Sequence, residues 1–478
     1  MEIQVKEIIE ACGGRLLRGK ADQEVRAISL DSRQMEGRDL FVPLTGEKVD
    51  SHRFICQALS KGAAAVITSA HGDAQAVERE LALFVENGGD RSAIEDCAWI
   101  GVKDTRAALQ ALGTWRRSRL SIPVVGITGS VGKTTTREMI ALALEAGLKV
   151  FRTPGNFNSQ VGVPITICAV PQEAQIAVIE LGMSEPGEME RIARVAQADC
   201  AVVTNIGVAH INQLGSRERI MEEKLKIQEG MNPEGVLFLN GDDDLLREAS
   251  AKDGRRTVYF GMGEQCEYRA EDVSLEDGRP VFTAVCKTQK IPMKLKVLGL
   301  HMVSNAMAAL AVADFYGVDL KKAASCLEQF EGCKGRQQIY EIHGMTVIDD
   351  SYNASPASMI AGLQALDSLK QGARKVAILA DMKELGPEEV RFHREIGYYI
   401  AAHPIDRVVL LGELAREIGR GILEKGGNTT VEFMENLEQV EEFLSREARE
   451  GDCILFKGSN SMKLGEAVAY TKDLSWKN

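Results

Sequence analysis

No stretch of the 478-residue chain is apolar over the length a bilayer requires. The opening MEIQVKEIIE lacks the basic segment and apolar core of a signal peptide. Membrane insertion and export are therefore not expected, and the chain reads as cytoplasmic. A basic excess is also missing: the formal net charge is -12, which argues against a nucleic-acid partner. The ten cysteines, among them Cys12, Cys97, Cys200 and Cys453, form no Cys-x-x-Cys pair, so reduced thiols are expected and a zinc site is not. Tandem repeats and low-complexity segments are absent, as is the Gly-x-Gly-x-x-Gly fingerprint of dinucleotide binding. With 45% hydrophobic and 26% charged residues the composition is that of an ordered enzyme. The length exceeds what one hydrophobic core serves, so two to three domains are expected.

What is present begins with residues 121 to 136, SIPVVGITGSVGKTTT. An apolar, β-rich run from Val124 to Ile127 breaks into a glycine-studded turn, and a helix is predicted from Lys133. Glycines in such a turn let backbone N–H groups converge on an anion at a helix N-terminus, where the dipole favours negative charge. Gly129, Ser130, Gly132, Lys133, Thr134 and Thr135 thus form a candidate phosphate loop, in which Lys133 reaches terminal phosphates and Thr134 ligates Mg²⁺. Five residues separate Gly126 from Gly132, one more than the strict Walker spacing. The competing reading is a glycine-rich strand-to-helix turn with an accidental Gly-Lys-Thr.

Three α/β segments follow from the pattern. The first hundred residues mix short strands with helices such as HRFICQALSKGA; the polar stretch after them has no clear register. Thr105 to Arg119 reads as an amphipathic helix, placing a boundary near residue 100. From there the runs PVVGITG, QIAVIELGM and CAVVTNIG alternate with helical segments, the signature of a parallel sheet. Their C-terminal ends would hold Thr128, Glu180 and Asn205, where functional groups gather in such sheets. A strand-rich stretch (256 to 297) and the helical HMVSNAMAALAVADFYG complete this part. The glycines and charges of EGCKGRQQ mark a second boundary, after which MTVIDD, KVAILAD, DRVVLLG and CILFKGS read as strands of a Rossmann-like domain. The expected domains are 1–100, 101–334 and 335–478.

Several polar residues suit nucleotide chemistry. Glu180 ends a strand where a Mg²⁺-binding carboxylate belongs, though a surface carboxylate is the bland alternative. His210 follows another strand end and suits metal binding, proton transfer or simple loop packing. Ile220, Lys224, Ile227 and Met231 follow helical spacing, which puts Lys224 within an apolar stripe while Lys226 points elsewhere; a snorkelling lysine is the alternative. In IDDSYNASP a strand ends in paired aspartates facing opposite sides, so only one of Asp349 and Asp350 can point into a given site.

Taken in order, GITGSVGKTTT, ELGMSEPGEM, NIGVAHINQLGS, EEKLKI, GLHMVSNAMAA and DDSYNASP resemble the motifs of the Mur ligases across almost the whole chain. Within that family, LDSRQMEGRDLFVPLTGEKVDSHRF, GNFNSQVGVPIT and DDSYNASPASM resemble the member that adds D-alanyl-D-alanine. The tyrosine-alanine-histidine and Asp-Asn-Pro-Arg sequences of the preceding ligase do not occur. The resemblance implies a cytoplasmic, monomeric, ATP- and Mg²⁺-dependent peptidoglycan enzyme. It implies three domains: a small α/β domain for the UDP-substrate, a central P-loop-type parallel-sheet domain for ATP, and a C-terminal Rossmann-like domain for the dipeptide. The substrates would be UDP-N-acetylmuramoyl-tripeptide and D-alanyl-D-alanine. By the same resemblance Lys133 and Thr134 hold phosphates and Mg²⁺, Glu180 ligates Mg²⁺, and His210 helps hold a second metal with Lys224, which the family carbamylates. Asn305, Arg336 and Asp350 match nucleotide contacts, whereas Ser32, Arg33, Asn158 and Asn353 match substrate positions. Met302 and Asn460 depart from the family, which commonly has asparagine and arginine there. The alternatives are another Mur-type or folylpolyglutamate-type ligase, or a P-loop ATPase acting as a switch.

Overall fold

The computed structural model describes residues 2–46, 49–369 and 373–474. Residues 47 and 48, inside the LDSRQMEGRDLFVPLTGEKVDSHRF segment, lie outside that set. Among the described residues, the strands make three large sheets of five, nine and six strands, in that order along the chain.

The middle sheet carries the phosphate loop. From one edge it runs Val150–Arg152, Ile176–Glu180, Val124–Thr128, Cys200–Val203, Val236–Asn240, Arg256–Gly261 and Tyr268–Glu276, all parallel. Arg279–Cys286 and Gln289–Lys294 then extend it antiparallel, so the expected parallel sheet ends in a meander. Every residue of Val124–Thr128 and Ile176–Glu180 is buried, because helices cover both faces and no polar alternation is needed. The helix His301–Phe315 is apolar nearly all round and packs with the helix Lys133–Leu144 in one core.

In the C-terminal sheet the order is Gln338–Ile342, Met345–Asp350, Cys453–Lys457, Lys375–Ala380, Arg407–Leu411 and Thr430–Met434. Only the first pair is antiparallel. The Gln338–Ile342 and Thr430–Met434 strands are not evident from the sequence: their burial is partial, so neither is a continuous apolar run.

The helix Thr105–Ser118 serves two cores. Ala108, Leu109 and Leu112 pack with Ile3, Val5 and Leu40 of the first segment. Gly113 lies against the central segment, where an added Cβ would come within 2.7 Å of Pro164 Cβ and 2.9 Å of Val195 Cγ1. Arg117 reaches further into the same wall, donating to the Ala196 carbonyl and to Asp199 Oδ2, each at 2.9 Å. No described helix is long and apolar enough to cross a membrane, and none of the cysteines is disulfide-bonded.

Candidate active site

The carboxyl ends of the central strands open into a cleft of ≈ 810 Å³, closed on its other side by the C-terminal segment. Two glycines shape its floor. Gly132 has φ 82° and caps the helix that starts at Lys133, a left-handed conformation that costs glycine nothing. At Gly129 (φ 153°) an added Cβ would lie 1.9 Å from Thr204 Oγ1, so only glycine lets the loop pass. The loop is pinned from the next strand. Thr204 Oγ1 and Asn205 Nδ2 donate to the Val131 carbonyl at 2.7 and 2.9 Å, and the Val131 N–H donates to Asn205 Oδ1 at 2.9 Å. Asn205 at the strand end thus works by holding the loop, and Thr204 joins it as a residue that sequence reasoning passed over.

Glu180 is buried beside the loop. Its Oε2 accepts from Thr134 Oγ1 at 3.0 Å and from Arg137 Nη1 at 3.1 Å, while Oε1 accepts from Asn158 Nδ2 at 2.8 Å. The hydroxyl and carboxylate are hard oxygen donors at hydrogen-bond distance on the cleft floor, a donor pair that fits Mg²⁺. Arg137 is itself 4% exposed and pairs also with Glu138. Its signal was available: Thr134 and Arg137 are three apart on one helix, hence on one face.

Lys224 is 1% exposed, and its Nζ donates to the Gly129 carbonyl at 3.0 Å. Lys133 Nζ donates to the same oxygen at 2.8 Å. Burial, with Lys133 adding repulsion, holds the Lys224 ammonium well below the ordinary lysine range. The expected stripe is buried at all four positions, yet it is not one helix. The helix ends at Leu225, a 3₁₀ turn carries Ile227, and Met231 follows a further turn. Met231 therefore packs by chain reversal rather than by helical periodicity. Lys226 does point elsewhere, to Glu223 Oε2 at 2.6 Å.

His210 lines the cleft with φ 63°. Burial first, then Lys224 and Lys133, push its imidazole down to about 4, so it is neutral at pH 7 and has a lone pair for a metal. Its Nδ1 lies 3.3 Å from Glu384 Oε2, in a geometry that makes no hydrogen bond. Ser130 Oγ, also at the cleft, is buried without a partner. Two orphaned polar atoms facing one cavity call for an occupant, since buried polar groups are otherwise satisfied. Among the described residues, no three His, Cys, Asp or Glu side chains form a metal cluster. A second cation at Lys224 and His210 fits only if the lysine becomes an anion.

From the opposite wall come Arg336, Asp350, Asn353 and the loop Lys383 to Leu385. Arg336 stacks on Tyr352, its Cζ 4.1 Å from the ring centroid. Asp350 faces the cleft while Asp349 bonds Ser351, the division that strand alternation predicts. Asp350 Oδ2 accepts from Lys457 Nζ at 2.6 Å, the two residues being direct neighbours in register on parallel strands. Burial raises the Asp350 carboxyl and Lys457 opposes that rise. Sequence reasoning missed Lys457, although its place at the end of CILFKGS is where strand-end logic would look. Asn305 and Met302 both line the cleft, and Asn305 Oδ1 accepts from Thr136 Oγ1 at 3.0 Å. Ser32 and Arg33 are not brought to this cleft: Ser32 bonds Gln57, and Arg33 pairs with Asp31 at the surface of the first segment.

Residues 24–114 match the model for the Mur ligase family catalytic domain, 127–313 the Mur ligase middle domain, and 335–460 the Mur ligase glutamate ligase domain. A UDP-N-acetylmuramoyl-tripeptide–D-alanyl-D-alanine ligase from Bacillus subtilis is 38% identical over 98% of both chains. Among solved structures, MurF from Acinetobacter baumannii superposes with a TM-score of 0.86 at 30% identity, over 99% of both chains. MurF ligase from Thermotoga maritima in complex with ADP gives 0.78 at 28% identity, over 94% of this chain and 97% of that one. On these likenesses the chain belongs to the Mur ligase family.

Proposed function

We infer that the protein joins D-alanyl-D-alanine to the terminal carboxylate of UDP-N-acetylmuramoyl-tripeptide at the expense of ATP, in the cytoplasm, as a step of peptidoglycan precursor synthesis. The observation that carries this reading is the convergence of Lys133, Thr134, Glu180, His210, Arg336 and Asp350 on one cleft. The names borne by the B. subtilis relative and the MurF structures support the choice of substrates. A P-loop switch would leave Lys224, buried next to a second lysine, without a task. In this reading residues 1–100 bind the UDP-substrate, with Ser32 and Arg33 among the contacts; 101–334 bind ATP; and 335–478 bind the dipeptide.

A carboxylate is a poor electrophile, so amide formation in water needs activation. The tripeptide carboxylate attacks the γ-phosphorus, ADP leaves, and the resulting acyl phosphate is attacked at carbon by the neutral amine of the dipeptide. Phosphate departs from the tetrahedral intermediate and the amine nitrogen gives up its proton. Lys133 and the N–H groups at the helix N-terminus, from Gly132 to Thr135, meet the charge spreading over the transferred phosphoryl group. Mg²⁺, held by Thr134 and Glu180 at one position and by His210 and a carbamylated Lys224 at another, would supply further charge neutralisation. Asn305, Arg336 and Asp350 orient the nucleotide, with Lys457 fixing Asp350. Asn158 and Asn353, which also line the cleft, are assigned to the substrates. Exclusion of water by the C-terminal wall protects the acyl phosphate from hydrolysis.

Mass analysis of products tests the reading. Incubated with ATP, Mg²⁺ and UDP-muramoyl-tripeptides ending in lysine or diaminopimelate, the enzyme yields the pentapeptide product only when D-alanyl-D-alanine is also present. ATP turnover that ignores both the carboxylate and the amine would sink it in favour of a switch.

A second expectation concerns movement. Central and C-terminal segments touch across the cleft at His210 and Glu384, and at Gly386, where an added Cβ would lie 2.7 Å from Asn212 Oδ1. A site closed this tightly must open to admit three substrates. Small-angle scattering is expected to show a smaller radius of gyration with a non-hydrolysable ATP analogue and UDP-muramoyl-tripeptide than without. Identical profiles at saturation would count against closure.

A further inference from the structure

Beside the first turns of the helix Lys133–Leu144 lies a second cavity, of ≈ 390 Å³, closed on its far side by the linker from Phe330 to Arg336. Four residues, Thr134, Asn156, Arg336 and Tyr352, line both this cavity and the cleft, so the two spaces adjoin through them. The linker is held in place by a tight turn. The Arg336 N–H donates to the Cys333 carbonyl at 2.9 Å, Gly335 has φ 70°, and its carbonyl accepts from the Tyr352 N–H at 2.9 Å.

Charge on the cavity wall is unbalanced. Three cations, Arg137, Lys334 and Arg336, stand against one carboxylate, Glu138. That carboxylate is already engaged twice, by Arg137 Nη2 at 2.6 Å and by Arg152 Nη1 at 2.9 Å. Arg137 also donates to the Gly155 carbonyl and to Glu180, which leaves it one N–H of five. Arg336 stacks on Tyr352 and gives no side-chain N–H to an acceptor among the described residues, and exposed Lys334 makes no ion pair among them. Burial pushes the Cys333 thiol up to about 11, so it is neutral at pH 7 and adds no negative charge. Guanidinium and ammonium groups without acceptors, around a space of this size, suit a small tetrahedral oxyanion. Ligation sets such an ion free. It is released beside Thr134, while ADP still fills the phosphate loop, and Thr134 is one of the residues the two spaces share.

We propose that this cavity is a binding site for inorganic phosphate, the ion freed by ligation, with Arg336 and Lys334 as its unmatched cations. The source of the ion rests on the ligase reading; the site rests on the cavity and its charges.

Equilibrium dialysis with labelled phosphate tests it. Full-length enzyme is first saturated with Mg²⁺ and a non-hydrolysable ATP analogue, whose γ-phosphate already occupies the phosphate loop. One phosphate per enzyme is then expected to bind. Lys334→Glu weakens that binding by about 3- to 10-fold, the weight of an exposed charge counted twice because its sign is reversed. Cys333→Trp places an indole in the cavity and removes the binding, whereas Cys333→Ser binds as wild type does. Thermal melts and the affinity for the analogue show whether each variant keeps the fold, and the exposed Lys334 position carries the test if the tryptophan does not. No phosphate bound by wild type at millimolar concentrations, or binding that Lys334→Glu leaves unchanged, would overturn the assignment. Displacement of the ion by UDP-muramoyl-tripeptide would overturn it too, giving the cavity to the diphosphate of that substrate. Wild type that binds phosphate here yet forms no pentapeptide product keeps the site and removes the ligase reading.

Discussion

Replacing Lys133 by alanine is expected to slow ligation and ADP formation by two to three orders of magnitude, roughly, in a protein that remains folded. The ammonium donates to the Gly129 carbonyl at the head of the P-loop helix, at the rim of the cleft that would hold the phosphates. Removing a group aimed at charge that develops in the transition state costs ~3–4 kcal/mol, or about 10²- to 10³-fold in kcat. The fold should tolerate the change, because the lost cation repels Lys224 and burial already pushes the Lys133 ammonium down. Steady-state ADP release together with a thermal melt checks both halves. Near-normal turnover would remove this loop from the chemistry, whereas a collapsed melting temperature would mean the lysine is structural.

An effect of similar size is expected at Lys224. A buried ammonium next to another ammonium is an unfavourable arrangement for binding a metal, and it is resolved if the amine reacts with carbon dioxide. Its nitrogen attacks the carbon and releases a proton, leaving a carbamate anion that supplies oxygen ligands. Only the neutral amine can react, and burial together with Lys133 favours that form. Lys224→Ala should lose most activity while a short carboxylic acid, diffusing into the space the side chain vacated, restores part of it. Carbon-13 NMR after exchange with labelled bicarbonate should show a carbamate signal in wild type that is missing from the variant. A fully active Lys224→Ala enzyme, or no carbamate in the metal- and nucleotide-bound protein, would end this assignment and leave the phosphate loop untouched.

How far these residues could be read in advance depended on whether their role is local. The phosphate loop was legible because strand, glycine turn and helix are contiguous. Gly129 and Gly132 stand where positive φ and close approach require them. Glu180 was legible from its place at a strand end; alternation showed that only one of Asp349 and Asp350 could face the site, and the motif likeness chose Asp350. Lys224 was recognised as buried by a periodicity that the chain does not sustain past Leu225. The apolar residues at Ile227 and Met231 reach the same core through turns, which a periodic pattern cannot distinguish from a longer helix. The Asp350 and Lys457 pair could not be read, because it depends on two strands about a hundred residues apart becoming parallel neighbours in one register. Thr204 was hidden for a similar reason: a threonine after a strand has no visible tie to a loop more than seventy residues earlier. Ser32 and Arg33 are singled out by motif likeness alone: they lie in the first segment, away from the cleft, and no pattern of burial or periodicity marks them.

The helix Thr105–Ser118 has a consequence for how the chain acquires its shape during synthesis. One face completes the core that contains Ile3, Val5 and Leu40, but Gly113 and Arg117 wait for Pro164, Val195, Ala196 and Asp199, which leave the ribosome some fifty to eighty residues later. Until then the first segment emerges with half of its closing helix uncovered, a surface that chaperones bind and that invites aggregation. The first segment and the segment that carries the phosphate loop thus share this helix, and burial of its second face waits until residues 164 to 199 are in place.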